Sequence, residues 1–406
     1  MDEHYGAVDA PDSSRQVFAT ILAATFCRVV LNVARRFAYP FAPVLSRGLG
    51  VPLTAVTSLI AMNQATGVAA MASGPLADRF GYRPMMTAGM VMLVTGMLAA
   101  GLFPRYSTVL VCLLLAGTAK SIFDPAVQAY AGEHVSYTRR GQVIGIMEFS
   151  WSFSSLAGIP LVGLLISRFG WRSPFFALAA SGLAAWMVLA LTFGNTRSRH
   201  RPPGETRNPL RAWRRLLDHR PALGALGFAF FISLANDNLF VIYGAWLEET
   251  FGLGVVALGL GTGLIGGAEF LGELLTAVGA DRMGLKRAVC GGALLSLLSY
   301  GLLPLCEGTL SLALAGLFVV FLTFEFSLVS FLSMATEIMP ELRATLMASL
   351  LASASLGRVV GALLGGPLWL SWGIRATGLV SALTAAVGLA ALLWGLQNWK
   401  AQERKA

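Results

Sequence analysis

One short charged turn occurs twice in this chain, half the chain length apart, and it constrains the fold more than any other feature. Its first copy reads Gly74-Pro-Leu-Ala-Asp78-Arg79-Phe-Gly81-Tyr-Arg83-Pro84, between two long apolar runs. The second reads Val278-Gly-Ala-Asp281-Arg282-Met-Gly284-Leu-Lys286-Arg287. Asp78 matches Asp281, Arg79 matches Arg282, Gly81 matches Gly284 and Arg83 matches Lys286. The same offset lays Phe169-Gly170-Trp171-Arg172 over Trp372-Gly373-Ile374-Arg375. Two matches at one offset predict two similar halves, and internal repeats of apolar helices are how secondary transporters are built.

The medium follows from composition. Hydrophobic residues make up 56% of the 406, and charged residues only 13%, about half the share of a soluble protein. The chain is therefore expected to live in lipid. Its 45 glycines suit helices that pack closely through small side chains. A net charge of +9 would admit nucleic acid as a partner, but the bases sit mostly in short loops between apolar runs. That is the positive-inside pattern of a membrane protein, so no nucleic-acid partner is expected.

Apolar runs long enough to cross a bilayer fall at 17–46, 54–77, 84–103, 107–131, 141–167, 173–194, 221–248, 254–279, 287–305, 309–336, 344–370 and 374–396. They predict an all-α membrane protein with an N-terminal six-helix bundle over 1–194, a basic linker over 195–220 and a C-terminal bundle over 221–406. The linker carries Arg197, Arg199, Arg201, Arg207, Arg211, Arg214, Arg215 and Arg220 against Glu205 and Asp218, which places it in the cytoplasm. An even number of spans then puts both termini there too, in agreement with Lys400, Arg404 and Lys405. From Asn208-Pro209 onward the linker can start a short surface helix.

The first repeated turn resembles the loop between the second and third helices of the major facilitator superfamily, and the resemblance covers essentially the whole chain. It implies twelve transmembrane helices in two pseudo-symmetric bundles around a central cavity, with transport by rocker-switch alternating access. It also implies that Asp78, Arg79 and Arg83 form a gating latch, with Asp281 and Arg282 a weaker one. In that family spans one, two, four, five, seven, eight, ten and eleven line the cavity.

Ionisable residues inside a membrane span are costly and mark function. Those of this chain all fall on the spans that the resemblance assigns to the cavity. On the first span Arg28, Asn32, Arg35 and Tyr39 share a stripe about 60° wide, with Arg36 to one side. The fourth span holds Lys120 and Asp124, one turn apart and able to pair, and the fifth holds Glu148. Asn236, Asp237 and Asn238 lie on the seventh, Glu269 and Glu273 on one face of the eighth, Glu325 on the tenth and Arg358 on the eleventh. Asp124, Glu148, Glu269 and Glu273 are the proton-coupling candidates, since a carboxyl whose surroundings alternate can take and release a proton. Arg28, Asn32, Arg35, Tyr39, Asp237, Asn238, Glu325 and Arg358 are the substrate-binding candidates.

The fifth span carries Gly158-Ile-Pro160-Leu-Val-Gly163 where the antiporter branch of the family carries Gly-Pro-x-x-Gly-Gly. The fourth carries Gly117-Thr-Ala-Lys120 where many drug antiporters carry Arg-x-x-Gln-Gly. Both departures leave the direction of transport open, with proton-coupled efflux of an amphipathic compound placed ahead of uptake of an organic anion or movement of lipid. No nucleotide-binding or hydrolase motif occurs, and neither enzymatic chemistry, a cofactor nor a metal is expected. The four histidines lie outside the span interiors. Cys27, Cys112, Cys290 and Cys306 have no ligand spacing and are expected to be small buried hydrophobes. The expected partners are a small-molecule substrate, protons and membrane lipid, for a monomer in the cytoplasmic (inner) membrane.

Overall fold

A computed structural model describes residues 14–69, 80–135, 137–192, 209–397 and 399. Ten helices among the described residues are long and apolar enough to span a bilayer. The last of them, Thr345–Gly395, has 51 residues, or about 76 Å of helix, more than twice the hydrocarbon thickness. Gly373 breaks it with a φ of 65°, a conformation that glycine adopts without a Cβ penalty. It is therefore two antiparallel spans, the eleventh and twelfth. The second span, Leu53–Ala65, continues as a 3₁₀ turn over Thr66–Ala69, beyond which the chain leaves the described residues. With that span the architecture has two halves of six helices.

Several spans expected to be continuous are interrupted, the eighth among them by a π-helical turn over Thr276–Ala280. The first runs over Ser14–Arg36, unwinds, and resumes at Ala42–Leu49; Pro40 and Pro43 supply no backbone N–H to carry the helix across. The seventh runs over Arg220–Phe240 and resumes at Tyr243–Phe251, with no proline at its break. The two breaks touch, because a side chain on Gly244 would run into the Pro40 carbonyl. The fifth span, Tyr137–Phe153 and Ile159–Phe169, widens into a π-helical turn over Ser154–Gly158. That turn precedes Pro160, whose ring would otherwise meet the carbonyl one turn back.

The halves meet through three pairings besides the breaks. The fifth span lies along the eighth, Val255–Leu275, where Ser155 and Leu156 face Gly266. The second lies along the eleventh, where Thr57 faces Gly366. Arg47 reaches Glu248 at 2.7 Å between the short helices that follow the two breaks. The last two are toward the end of the molecule opposite the linker, while the fifth–eighth contact runs past mid-span to Phe149 and Phe270, whose ring centroids are 5.9 Å apart. At the linker end, Thr20 of the first span donates to the Thr192 carbonyl at 2.9 Å, inside the first half alone. The linker itself contains a helix, Pro209–Asp218, with Leu216 buried and Arg214 and Arg215 exposed.

Candidate functional site

Between the halves lies a narrow cleft of about 370 Å³, open space at its mouth included. Its wall is built from the first, second, fifth, seventh, eighth, tenth and eleventh spans, each contributing a polar or aromatic side chain to an otherwise apolar bundle. The charges around it fall into three groups.

The first group belongs to the N-terminal half. Arg28 donates from Nε to Asp124 Oδ1 and from Nη2 to Glu148 Oε1, both at 3.1 Å. Lys120, one turn before Asp124, reaches its other oxygen at 2.5 Å. Asn32 donates to Ser150 at 3.3 Å. These side chains bind the first, fourth and fifth spans to one another, and among the described residues they make no hydrogen bond or ion pair to the other half. Glu148 is the wettest of them, its side chain 48% exposed.

The second group crosses between the halves. Arg36, expected to one side of the polar stripe, is buried and central. It holds Glu269 of the eighth span with both terminal nitrogens, at 3.1 and 2.5 Å, and lies over the Trp151 ring at 4.3 Å. The stripe reasoning failed here because the first span borders two partners, its own half and the opposite one, so a wider arc of its surface is enclosed. Ser155 also donates to Glu269, at 3.2 Å, and Ser152 donates to Glu273 at 2.9 Å. Glu325, on the tenth span (Leu310–Ile338), enters the same corner because Gly272 lets the two helices close up. A methyl on Gly272 would stand 2.9 Å from the Glu325 Cβ. Gly272 sits between Glu269 and Glu273 in the chain, so three carboxyls lie near one another, and only Glu269 pairs with Arg36. Glu325 has neither an ion pair nor a hydrogen bond among the described residues.

The third group also bridges the halves. Tyr39 donates to Asp237 at 2.7 Å, and Gln64 of the second span donates to the Tyr39 oxygen. Gln64 in turn accepts from Arg35 at 2.5 Å. Asp237 is fully buried, and its second oxygen has only Arg358, whose Nε is 3.8 Å away.

Asn238 is placed elsewhere. It was grouped with the binding side chains, yet it donates to the Thr377 carbonyl and to Ser381 on the twelfth span, at 3.1 and 3.0 Å. Successive helical residues are 100° apart, so three polar neighbours cannot share one face. Asn236 lines the cleft instead, accepting from Tyr300 at 3.3 Å. Gln64, Ser152 and Ser155 were missed because a search for charges passes over neutral polar side chains. The adjacent Asn63-Gln64 pair inside an apolar run was the available signal. Of the latch residues, Asp78 and Arg79 lie outside the described residues, as does the side chain of Asp281. Arg83 and Arg282 are exposed at the linker end.

Known proteins share this architecture. A family model described as Major Facilitator Superfamily matches residues 24–267. The uncharacterized MFS-type transporter YwfA of Bacillus subtilis (strain 168) is 24% identical over 336 residues, with 82% of this chain and 81% of that protein covered. A second from the same organism, YceJ, is 25% identical over 303 residues, with 74% and 76% covered. A crystal structure of a bacterial homologue of the human lysosomal transporter Spinster, inward-facing and unoccupied, aligns with a TM-score of 0.76. That alignment covers 95% of this chain and 97% of the other at 14% identity, a likeness of fold. With the family model spanning more than half of the sequence and the helical architecture agreeing along its length, this chain belongs to the major facilitator superfamily.

Proposed function

We propose that this transporter couples the movement of a small amphipathic organic solute to protons, in a cytoplasmic membrane with the linker and both termini on the cytoplasmic side. The observation that carries the reading is the corner where Glu269, Glu273 and Glu325 come together beside Arg36. An ionised carboxylate is expensive to bury without a counter-charge. Arg36 pairs with Glu269 alone, and Glu325 has no base in contact among the described residues, so Glu325 is cheapest to bury with a proton on it. The partners of Glu269 and Glu273 belong to the opposite half. When the halves rock apart at this seam, Glu269 leaves Arg36 and Glu273 leaves Ser152. The same acids then meet different surroundings in the two states, which is the requirement for coupling. Trp151, Phe240 and Phe324 beside the charges suit a solute with an apolar body.

With the linker on the cytoplasmic side, the seal formed at Pro40, Gly244, Arg47 and Glu248 closes the outer face. Efflux follows if proton and solute occupy the cleft alternately, and uptake if they occupy it together. The test is solute-driven proton movement in proteoliposomes, read by an internal pH dye across a panel of organic anions and lipophilic cations. Wild type should show it with at least one solute. Glu325→Gln should lose it while still exchanging labelled solute for unlabelled. Proton movement that persists undiminished in Glu325→Gln, Glu273→Gln and Glu269→Gln would remove the carboxyl corner from the mechanism.

A further inference from the structure

We propose that the cleft recognises organic anions, a carboxylate or a phosphate ester on a flat apolar body, through a guanidinium clamp of Arg35 from one half and Arg358 from the other. This rests on the cleft being the transport site and is independent of proton coupling.

The three guanidiniums on the cleft wall are not equivalent. Arg36 is saturated, held in a two-pronged pair by Glu269. Arg35 has no ion pair among the described residues. Its one hydrogen bond goes to the neutral amide oxygen of Gln64, and its Nε is buried without a partner. Arg358 stands 3.8 Å from Asp237, at the outer limit of an ion pair, and none of its donors makes a hydrogen bond among the described residues. Asp237 is already engaged by Tyr39 through its other oxygen.

The two under-used guanidiniums approach the same place. Arg35 Nη2 lies 3.6 Å from the point where a methyl on Gly67 would sit, a point already filled by Ser355. Ser355 is one helical turn before Arg358 on the eleventh span. Asp237 is the one carboxylate beside the two guanidiniums among the described residues, 3.8 Å from Arg358 and joined to Arg35 only through Gln64, so the pair is one negative charge short and a bound anion supplies it. Carboxylates and phosphates match the planar fork of a guanidinium through paired N–H bonds. Trp151, Phe240 and Phe324 provide the apolar wall. In this closed arrangement the enclosed space is little more than that of a water molecule, so a flat ring enters only when the halves part around it. Because the clamp draws one arm from each half, an anion seated in it also ties the halves together.

The probes are four molecules sharing one naphthalene body: naphthoate, naphthyl phosphate, neutral naphthamide and naphthylmethylammonium. Binding to the full-length protein in detergent is measured by titration calorimetry. One or both anions should bind at least about tenfold more tightly than the amide, the size of a charge-assisted hydrogen bond. The ratio between the two anions distinguishes a carboxylate site from a phosphate site. Arg35→Gln and Arg358→Gln should each remove most of the anion preference, and Arg35→Lys should restore part of it. The amide reports whether each variant still folds. A preference for the ammonium, equal binding of all four, binding of none at millimolar concentration, or an anion preference surviving in both glutamine variants would overturn the clamp. Solute-driven proton movement lost in Glu325→Gln would stand in any of those cases, so failure of the clamp is separable from failure of the coupling reading.

Discussion

The two halves share a repeated sequence pattern, yet their buried acids are used differently. In the N-terminal half Arg28, Lys120, Asp124 and Glu148 satisfy one another. In the C-terminal half Glu269, Glu273 and Asp237 take partners from the other half, from Arg36, Ser152 and Tyr39, and Glu325 takes none. A network closed within one half travels with it as a rigid body and keeps its energy through the transport cycle. A network shared across the seam must be remade at each transition, so it can bias the equilibrium between states. The Arg28 network of the first half therefore works as scaffold, while the acids of the second half and the Arg36, Tyr39 and Ser152 that meet them are the groups whose surroundings alternate.

The largest test of that division is Arg36→Gln. It leaves Glu269 buried without its base, a change that costs about 3–5 kcal/mol when one partner of a buried pair is removed. Thermal unfolding in detergent should drop sharply and transport should vanish. Adding Glu269→Gln should recover most of the stability, because two neutral groups no longer leave a stranded charge, while transport stays lost. If the single and double variants were equally unstable, the pair would not be the energetic link between the halves.

Asp124→Asn comes next and probes the scaffold. Arg28 and Lys120 would lose their shared acid, with Glu148 left to Arg28. A stability loss of about 2–3 kcal/mol is expected, below that of Arg36→Gln because Asp124 is partly exposed and Arg28 keeps Glu148 as a partner. Solute-driven proton movement per folded molecule should persist. Its disappearance would transfer the coupling role to the first half.

Glu325→Gln should have the smallest effect on folding of the three buried variants, since it removes a carboxyl that no base matches. Its stability should equal or exceed that of wild type, by up to about 1 kcal/mol, with solute-driven proton movement gone. A variant that is both uncoupled and unstable would mean that Glu325 holds the bundle together instead.

How much of this was legible in the sequence depends on what a periodicity can see. The repeat at Asp78 and Asp281, and the run lengths, carried the number of spans and their division into halves. The one-turn spacing of Lys120 and Asp124 carried their pairing, because both ends of that interaction lie on one helix. Helical spacing says which face a residue occupies and nothing about what stands opposite. Arg28 and Arg36 read alike as buried bases, yet one pairs at home and the other across the seam. Glu325 reads from the sequence as a substrate-binding acid on the tenth span. Its place beside Glu269 and Glu273 depends on Gly272 allowing two helices to touch, a contact between residues distant in the chain. The π turn before Pro160 was visible only as a departure from a glycine pattern.

The smallest effect belongs to the most exposed bridge between the halves. Arg47 and Glu248 pair at 2.7 Å beside the Pro40–Gly244 contact, with the Arg47 side chain 61% exposed. Solvent screens such a pair to less than about 1 kcal/mol, too little to alter folding measurably. The bridge joins groups that must separate when this end opens, so its loss acts on one state and not the other. Arg47→Ala should therefore shift the populations up to about fivefold toward the state open at this end. Distances between spin labels on the short helices Ala42–Leu49 and Tyr243–Phe251 would read that shift with the melting temperature unchanged. An Arg47→Ala distance distribution identical to wild type would show that backbone packing at Gly244 alone sets the seal, leaving the inner bridge of Arg36 and Glu269 as the charge pair that decides between states.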